Sequence, residues 1–264
     1  MRGNGTIAGR DCLKTGGSRE YGISAFVDLD CVKGKGAMAR IETDTKVYQI
    51  ARAAKVLRID PALSLDAVFI DANCPIVLKD ALQKTVVWQV RNETSVEKAV
   101  SAASLLPEVT LALLALDAHV LFSSGDTLAL DAFYQRSSKR DVMKALLIPV
   151  VESRYYGTGR IGVSPSSDPI VAVAASVDID STRIVQTRIA LFGVWPDRQW
   201  LAKSVSHLEG AELTDGSITQ AAEAVMQEVD PKEDYHGSAE YRRSMAGVLV
   251  RRALEVCMKG AKES

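Results

Sequence analysis

Cysteine is scarce and scattered in this 264-residue chain. Cys12, Cys31, Cys74 and Cys257 form no CxxC pair, so neither a disulfide framework nor a self-contained Fe–S or zinc site is expected. A reducing, cytoplasmic setting is the expectation that follows. No apolar run reaches the ~18 residues a membrane span needs. The longest candidate, Val109 to Phe122, is broken by Asp117 and His119. The N-terminus lacks the apolar stretch of a secretory signal. A basic surplus is missing too: Lys plus Arg is 32, Asp plus Glu is 33, and the formal net charge is −1. That excludes the usual electrostatic footprint of a nucleic-acid binder or of a protein held on an anionic membrane. His119, His207 and His236 stand apart, with no Ser/His/Asp arrangement or carboxylate pair, and none is assigned to catalysis or metal.

What remains is a globular composition, 47% hydrophobic and 25% charged, long enough for a substantial core in one or two domains. The first 25 residues are Gly-rich and aperiodic. Ile23–Leu29 and Ala37–Ile41 read as strands. Thr45 to Val56 carries a helical stripe in Val47, Ile50, Ala51 and Ala54, and Ile76 to Val90 reads as mostly helical after Pro75. Glu93 to Ser104 is also helical, with Val96, Ala99, Val100 and Ala103 as its apolar stripe. Val109 to Ala118 is a buried helix. His119–Phe122 and Thr127–Leu130 are strands joined by the turn Ser123–Asp126.

The character changes after about residue 138. Ala145–Val151, Ile170–Ile179 and Ile184–Phe192 have strand length and predict a small antiparallel sheet with one face covered. Asp178–Thr182 turns between the last two. Two helices follow, one from about Ser217 to Glu228. The other starts after Gly237, which can take φ > 0 there, with Ser238 as N-cap, and stops at Gly260. On that closing helix Tyr241, Met245, Val248, Leu249, Ala253 and Val256 form the expected inner face, with Arg242, Arg243, Arg251 and Arg252 opposite. Strands followed by helices make the class α+β, divided near Ser137–Arg140 into domains 1–138 and 139–264.

Several segments carry a family resemblance: Ile7-Ala-Gly-Arg-Asp-Cys-Leu13, Gln89-Val-Arg-Asn92, Leu113-Leu-Ala-Leu-Asp-Ala118, Arg188-Ile-Ala-Leu-Phe-Gly-Val194 and the closing run from Asp234 to Leu254. In this order and spacing they resemble the flavoprotein, or medium, subunit of molybdenum hydroxylases, the carbon monoxide and xanthine dehydrogenase group. The resemblance implies a two-subdomain FAD-binding (PCMH-type) domain followed by a CO dehydrogenase flavoprotein-type domain, with the family's usual N-terminal strand and helix missing ahead of Met1. It implies FAD between the subdomains, its pyrophosphate held by two glycine loops. Partner subunits would carry the Fe–S clusters and the molybdenum cofactor, and electrons would pass through the FAD to NAD, a quinone or another acceptor. Carried over by position, the cofactor-binding residues are Ala8, Gly9, Arg10 and Asp11 in the first loop, Asn92, Ser95 and Val96 in the second, and Glu108.

Both loops depart from the family. Where its first loop reads "AGGTDL", Arg10, Asp11 and Cys12 replace Gly, Thr and Asp. Where the second reads "RNxGTIGGN", Thr94, Glu97, Lys98 and Ala99 replace three glycines and the Asn, and Glu108 follows in place of Asp. Side chains at former glycines crowd a diphosphate, a residue forced into the left-handed region costs about 1–2 kcal/mol, and Glu97 or Asp11 adds like-charge repulsion. Arg10 and Lys98 offer compensating phosphate contacts. Asn92 and Ser95 are explained equally by a turn or a helix cap, and Glu108 by the start of its helix. The sequence therefore leaves three readings: an electron-relaying FAD subunit, a flavin-free subunit that holds such a complex together, or an unrelated soluble α+β ligand-binding protein.

Overall fold

Short apolar segments in 50–149 and longer ones beyond it build two separate antiparallel sheets. The computed structural model describes residues 50–263 apart from residues 54, 137–140, 165–166 and 197–198, all within one unit, Lys46–Ser264. The expected strands Ile23–Leu29 and Ala37–Ile41, the first loop with Ala8, Gly9, Arg10 and Asp11, and the expected break at 137–140 lie outside the described residues.

The first sheet has the order β1-β2-β5-β3-β4. Its strands are β1 (Ile50–Ala53), β2 (Val56–Ile59), β3 (His119–Phe122), β4 (Thr127–Ala129) and β5 (Met143–Pro149). The helical stripe expected over Thr45–Val56 is corrected. Ile50↔Ile59 through Ala53↔Val56 pair as a hairpin, whose second strand pairs onward with β5. Pairing with a distant strand outweighs a local periodicity. The hairpin β3–β4 stands as expected. Ala145–Val151, expected in the second sheet, instead supplies β5 to the first, between β2 and β3. Residues 139–264 thus lend their first strand to the sheet built by the preceding residues.

Between β2 and β3 run α1 (Leu65–Ile70), α2 (Ile76–Thr85), α3 (Trp88–Glu93), α4 (Val96–Ser101), a 3₁₀ turn (Ala103–Leu105) and α5 (Pro107–Ala115). Eight of the nine α5 residues are buried, which explains its lack of a polar face. Leu113 lies in one core with Ile59 and Leu146 of the first sheet. Ala112 and its neighbours share a core with Ala172, Ala174 and Ala190 of the second. A short helix, α6 (Leu130–Gln135), follows β4.

The second sheet has the order β6-β7-β8, with β6 (Arg154–Gly162), β7 (Pro169–Asp180) and β8 (Arg183–Phe192). Its central strand is buried over its first ten residues, because both faces are covered and not the one expected. Side chains alternate across a strand. Val171, Val173, Ala175 and Val177 join the core made with α7 (Asp215–Glu228) and α8 (Ala239–Glu263), while Ala172 and Ala174 face α5. Strand β6 has no apolar alternation and escaped the sequence reading. Its Gly157 permits close approach of α8: a Cβ there would sit 1.9 Å from the Ala253 carbonyl oxygen.

The closing helix forms, but rotated from the expected face. Arg242, Ala246, Gly247, Leu249, Val250, Ala253, Leu254 and Cys257 are buried, whereas Tyr241, Val248 and Val256 are exposed. Arg242 turns inward because its guanidinium has partners there. It donates to the Ile170 carbonyl (2.6 Å) and the Gly193 carbonyl (3.1 Å) and pairs with Asp234 (2.6 Å). Gly247 lies under Met226, where a Cβ would be 2.3 Å from the sulfur. Ser238 Oγ accepts the Tyr241 amide as the expected cap. The preceding turn does not use a positive φ at Gly237, and the helix passes through Gly260 to Glu263.

Candidate functional site

The second of the two expected cofactor loops is folded as two short helices. Arg91 fixes α3 from within: Nε pairs with Asp66 (3.0 Å), Nη1 donates to the carbonyls of Leu82 and Val86, and the guanidinium lies 4.5 Å from the Phe69 ring centroid. The Asn92 side-chain amide donates to the Trp88 carbonyl (3.2 Å), which is a bond within its own helix. Ser95 caps α4, its Oγ accepting the Lys98 amide (3.2 Å). Val96 is buried against Leu65, Val109 and Leu113. Asn92, Ser95 and Val96 are thus neighbours in the chain, and each has a structural partner.

Glu108 lies apart from them, in the first turn of α5. It faces a cleft of about 180 Å³ between α2, α5 and the edge of the second sheet, lined by Asp80, Lys84, Glu108, Thr158 and Arg160 over an apolar floor that includes Leu111 and Val173. Arg160 Nε pairs with Glu108 Oε1 at 3.0 Å, and its Nη atoms donate to the carbonyls of Ser164 (3.2 Å) and Ser167 (2.6 Å). Arg160 went unnoticed in the sequence, since its strand carries no apolar period. This cleft is the one place among the described residues where an expected site residue meets a concave surface with charges of both signs.

A second constellation surrounds the end of α5, in the Leu113–Ala118 motif. Ser176 Oγ donates to the Ala115 carbonyl (2.7 Å) and Arg154 Nη1 to the Leu116 carbonyl (2.9 Å). Arg188 pairs with Asp117, which holds φ +59°. Arg154 also forms a two-point pair with Asp178, the residue directly across from it on β7 (2.5 and 2.7 Å). The Ala115 and Leu116 carbonyls, of the kind a helix leaves unpaired at its C-terminus, are thereby satisfied from the second sheet. This motif joins the two halves of the chain.

The histidines and the aromatic residues of the second sheet have structural partners. His119 Nδ1 lies 2.8 Å from the Asp117 carbonyl and His207 Nδ1 2.5 Å from the Ser204 carbonyl, while His236 rests on Tyr235. Tyr155 and Trp195 pack against the second core and Tyr156 against the first. Burial pushes the Tyr156 hydroxyl up to about 12. Among the described residues no group of His, Cys, Asp or Glu is placed to hold a metal ion, and no helix is long and apolar enough to cross a membrane.

Burial also raises the thiols of Cys74 and Cys257 from 9.0 to about 12. The unfolded chain gives up these protons near the ordinary thiol value, whereas the folded chain keeps them. Their neutral burial is therefore fully favourable below that value, and stability falls as pH climbs from there toward 12. At pH 8 both thiols resist iodoacetamide in the native protein and react on denaturation. Peptide mapping that finds either one alkylated within minutes in the native state contradicts the burial.

Comparison with known proteins agrees with the resemblance read from the sequence. Residues 167–256 match the family described as CO dehydrogenase flavoprotein C-terminal domain. The chain is 27% identical over 190 residues to the protein YgfM of Escherichia coli, covering 72% of this chain and 68% of that one. It is 25% identical over 176 residues to the glyceraldehyde dehydrogenase medium chain of Sulfolobus acidocaldarius, covering 63% and 62%. The fold superposes on a chain of carbon monoxide dehydrogenase from Hydrogenophaga pseudoflava with a TM-score of 0.71 at 21% identity, over 80% of this chain and 78% of that one. In sequence the chain is thus similar to medium chains of this kind, its residues 167–256 match the CO dehydrogenase flavoprotein C-terminal domain, and its α+β fold is that of the carbon monoxide dehydrogenase chain.

Proposed function

We propose that this chain is the medium-chain component of a multi-subunit molybdenum hydroxylase, standing with an Fe–S subunit and a molybdenum-cofactor subunit in the cytoplasm. The observation that carries the reading is the CO dehydrogenase flavoprotein C-terminal domain over 167–256, fastened to the preceding sheet through the end of α5. We take 1–138 as the FAD-binding-type domain and 139–264 as the C-terminal one, the latter lending β5 to the former. Substrate oxidation belongs to the molybdenum subunit in this reading. In the family's route electrons reach FAD from the Fe–S clusters and leave to a soluble or quinone acceptor.

The test is isolation of the tagged chain from its own host under mild conditions. Two further subunits are expected to co-purify, with iron and molybdenum measurable by elemental analysis and an Fe–S signal by electron paramagnetic resonance. A monodisperse monomer with neither metal sinks the proposal and favours an independent ligand-binding protein.

A further inference from the structure

A backbone pyrophosphate cradle needs successive amides that converge on the anion and are not engaged elsewhere, a geometry built from alternating right- and left-handed residues. Residues 94–99 have neither property. Thr94 and Ser95 sit at φ −102° and −77°, and among the described non-glycine residues only Asp117 and Ser181 have positive φ. Each amide of the α4 first turn is already spent. Val96 donates to the Leu63 carbonyl (2.9 Å) and Glu97 to the Pro61 carbonyl (2.9 Å). Lys98 donates to Ser95 Oγ (3.2 Å) and Ala99 to the Ser95 carbonyl (2.9 Å). The Thr94 carbonyl in turn accepts from Leu65, and Ser64 and Ser95 form an antiparallel bridge. Val96, Ala99 and Val100 fill the core behind this weld, and Glu97 adds a negative charge at the helix start.

We infer that this chain enters its complex without FAD. The segment that takes the place of the second glycine loop has become a capped helix, stitched to the 61–65 loop, and the amides of Thr94 and of residues 96–99 are all engaged within the fold and closed to a diphosphate. The inference rests on the medium-chain reading. In such an assembly the chain acts as a joining subunit, and electrons leave the Fe–S clusters by a route that does not pass through it.

The experiment uses the full chain with the subunits it brings down. After incubation with added FAD and gel filtration, the sample is denatured and the released flavin is measured by its absorbance and by chromatography. The expected content is far below one equivalent per chain, with iron and molybdenum present. Iron and molybdenum accompanied by close to one FAD per chain overturn the inference and leave the medium-chain reading intact. Absence of both metals defeats that reading instead, and the isolated chain then tests the inference through quenching of FAD fluorescence, where saturable binding overturns it. Ser95→Ala supplies a second measurement: loss of the cap lowers the melting temperature by about 2–4 °C with flavin content unchanged. A Ser95→Ala protein that melts like the parent but differs in flavin content places Ser95 in a binding site and overturns the inference.

Discussion

Arg154→Ala lowers the stability of the chain by about 3–5 kcal/mol, the cost typical of removing one partner of a buried ion pair. The pair is well placed for that loss. Side-chain exposure is 2% for Arg154 and 11% for Asp178, and the guanidinium satisfies both the Asp178 carboxylate and the Leu116 carbonyl. Alanine leaves a carboxylate in the interior and an unpaired helix-end carbonyl beside it. Urea unfolding of both proteins measures the difference. The double variant Arg154→Met with Asp178→Leu separates the stranded charge from the lost attraction, because replacing both partners by apolar groups costs far less. A single variant within about 0.5 kcal/mol of the parent, the usual range of inert surface changes, removes the pair from any role in joining the halves.

Gly157→Val is expected to cost about 3 kcal/mol, at the upper end of the range for overpacking. The first carbon of any side chain at this position would fall 1.9 Å from the Ala253 carbonyl oxygen. That atom is helix backbone and has no rotamer to change. The strand and α8 must therefore separate, and their shared core opens with them. The exposed neighbour Thr158 supplies the control, since Thr158→Val replaces a hydroxyl by a methyl at an exposed position and changes stability little. Thermal melts of the two variants should differ clearly. If Gly157→Val melts with the control, the close helix–strand approach is wrong.

These sites show how far the sequence could be read. Val109–Ala118 was legible as a buried helix because a run apolar on every side has few alternatives. The turn at Ser123–Asp126 and the helix over Ser217–Glu228 carried local signals strong enough to stand alone. Glu93–Ser104 was legible as helical too, against the loop its family position implies, because its own stripe was intact. Strand β5 was legible as a strand, yet its sheet was not, since a pairing partner ninety residues upstream leaves no local mark. The rotation of α8 was hidden by Arg242, which hydropathy assigns to water and the Ile170 and Gly193 carbonyls draw inward. The cleft was half legible: Glu108 came from resemblance to a family position, while Arg160 sits on a strand with no period to reveal it.

Helix α8 is made well after the sheet it covers. Domains fold in the order in which they are synthesised, and exposed apolar sheet surface invites aggregation. Val171, Val173, Ala175 and Val177 have α8 as a principal cover, so one apolar face of β7 stays bare until α8 has left the ribosome. A premature stop within the 25 residues of α8 would leave the core of the first half intact but release a chain with a sticky sheet. Quality control of this protein therefore hinges on α8, and a chain cut short within that helix is a hazardous product of its translation.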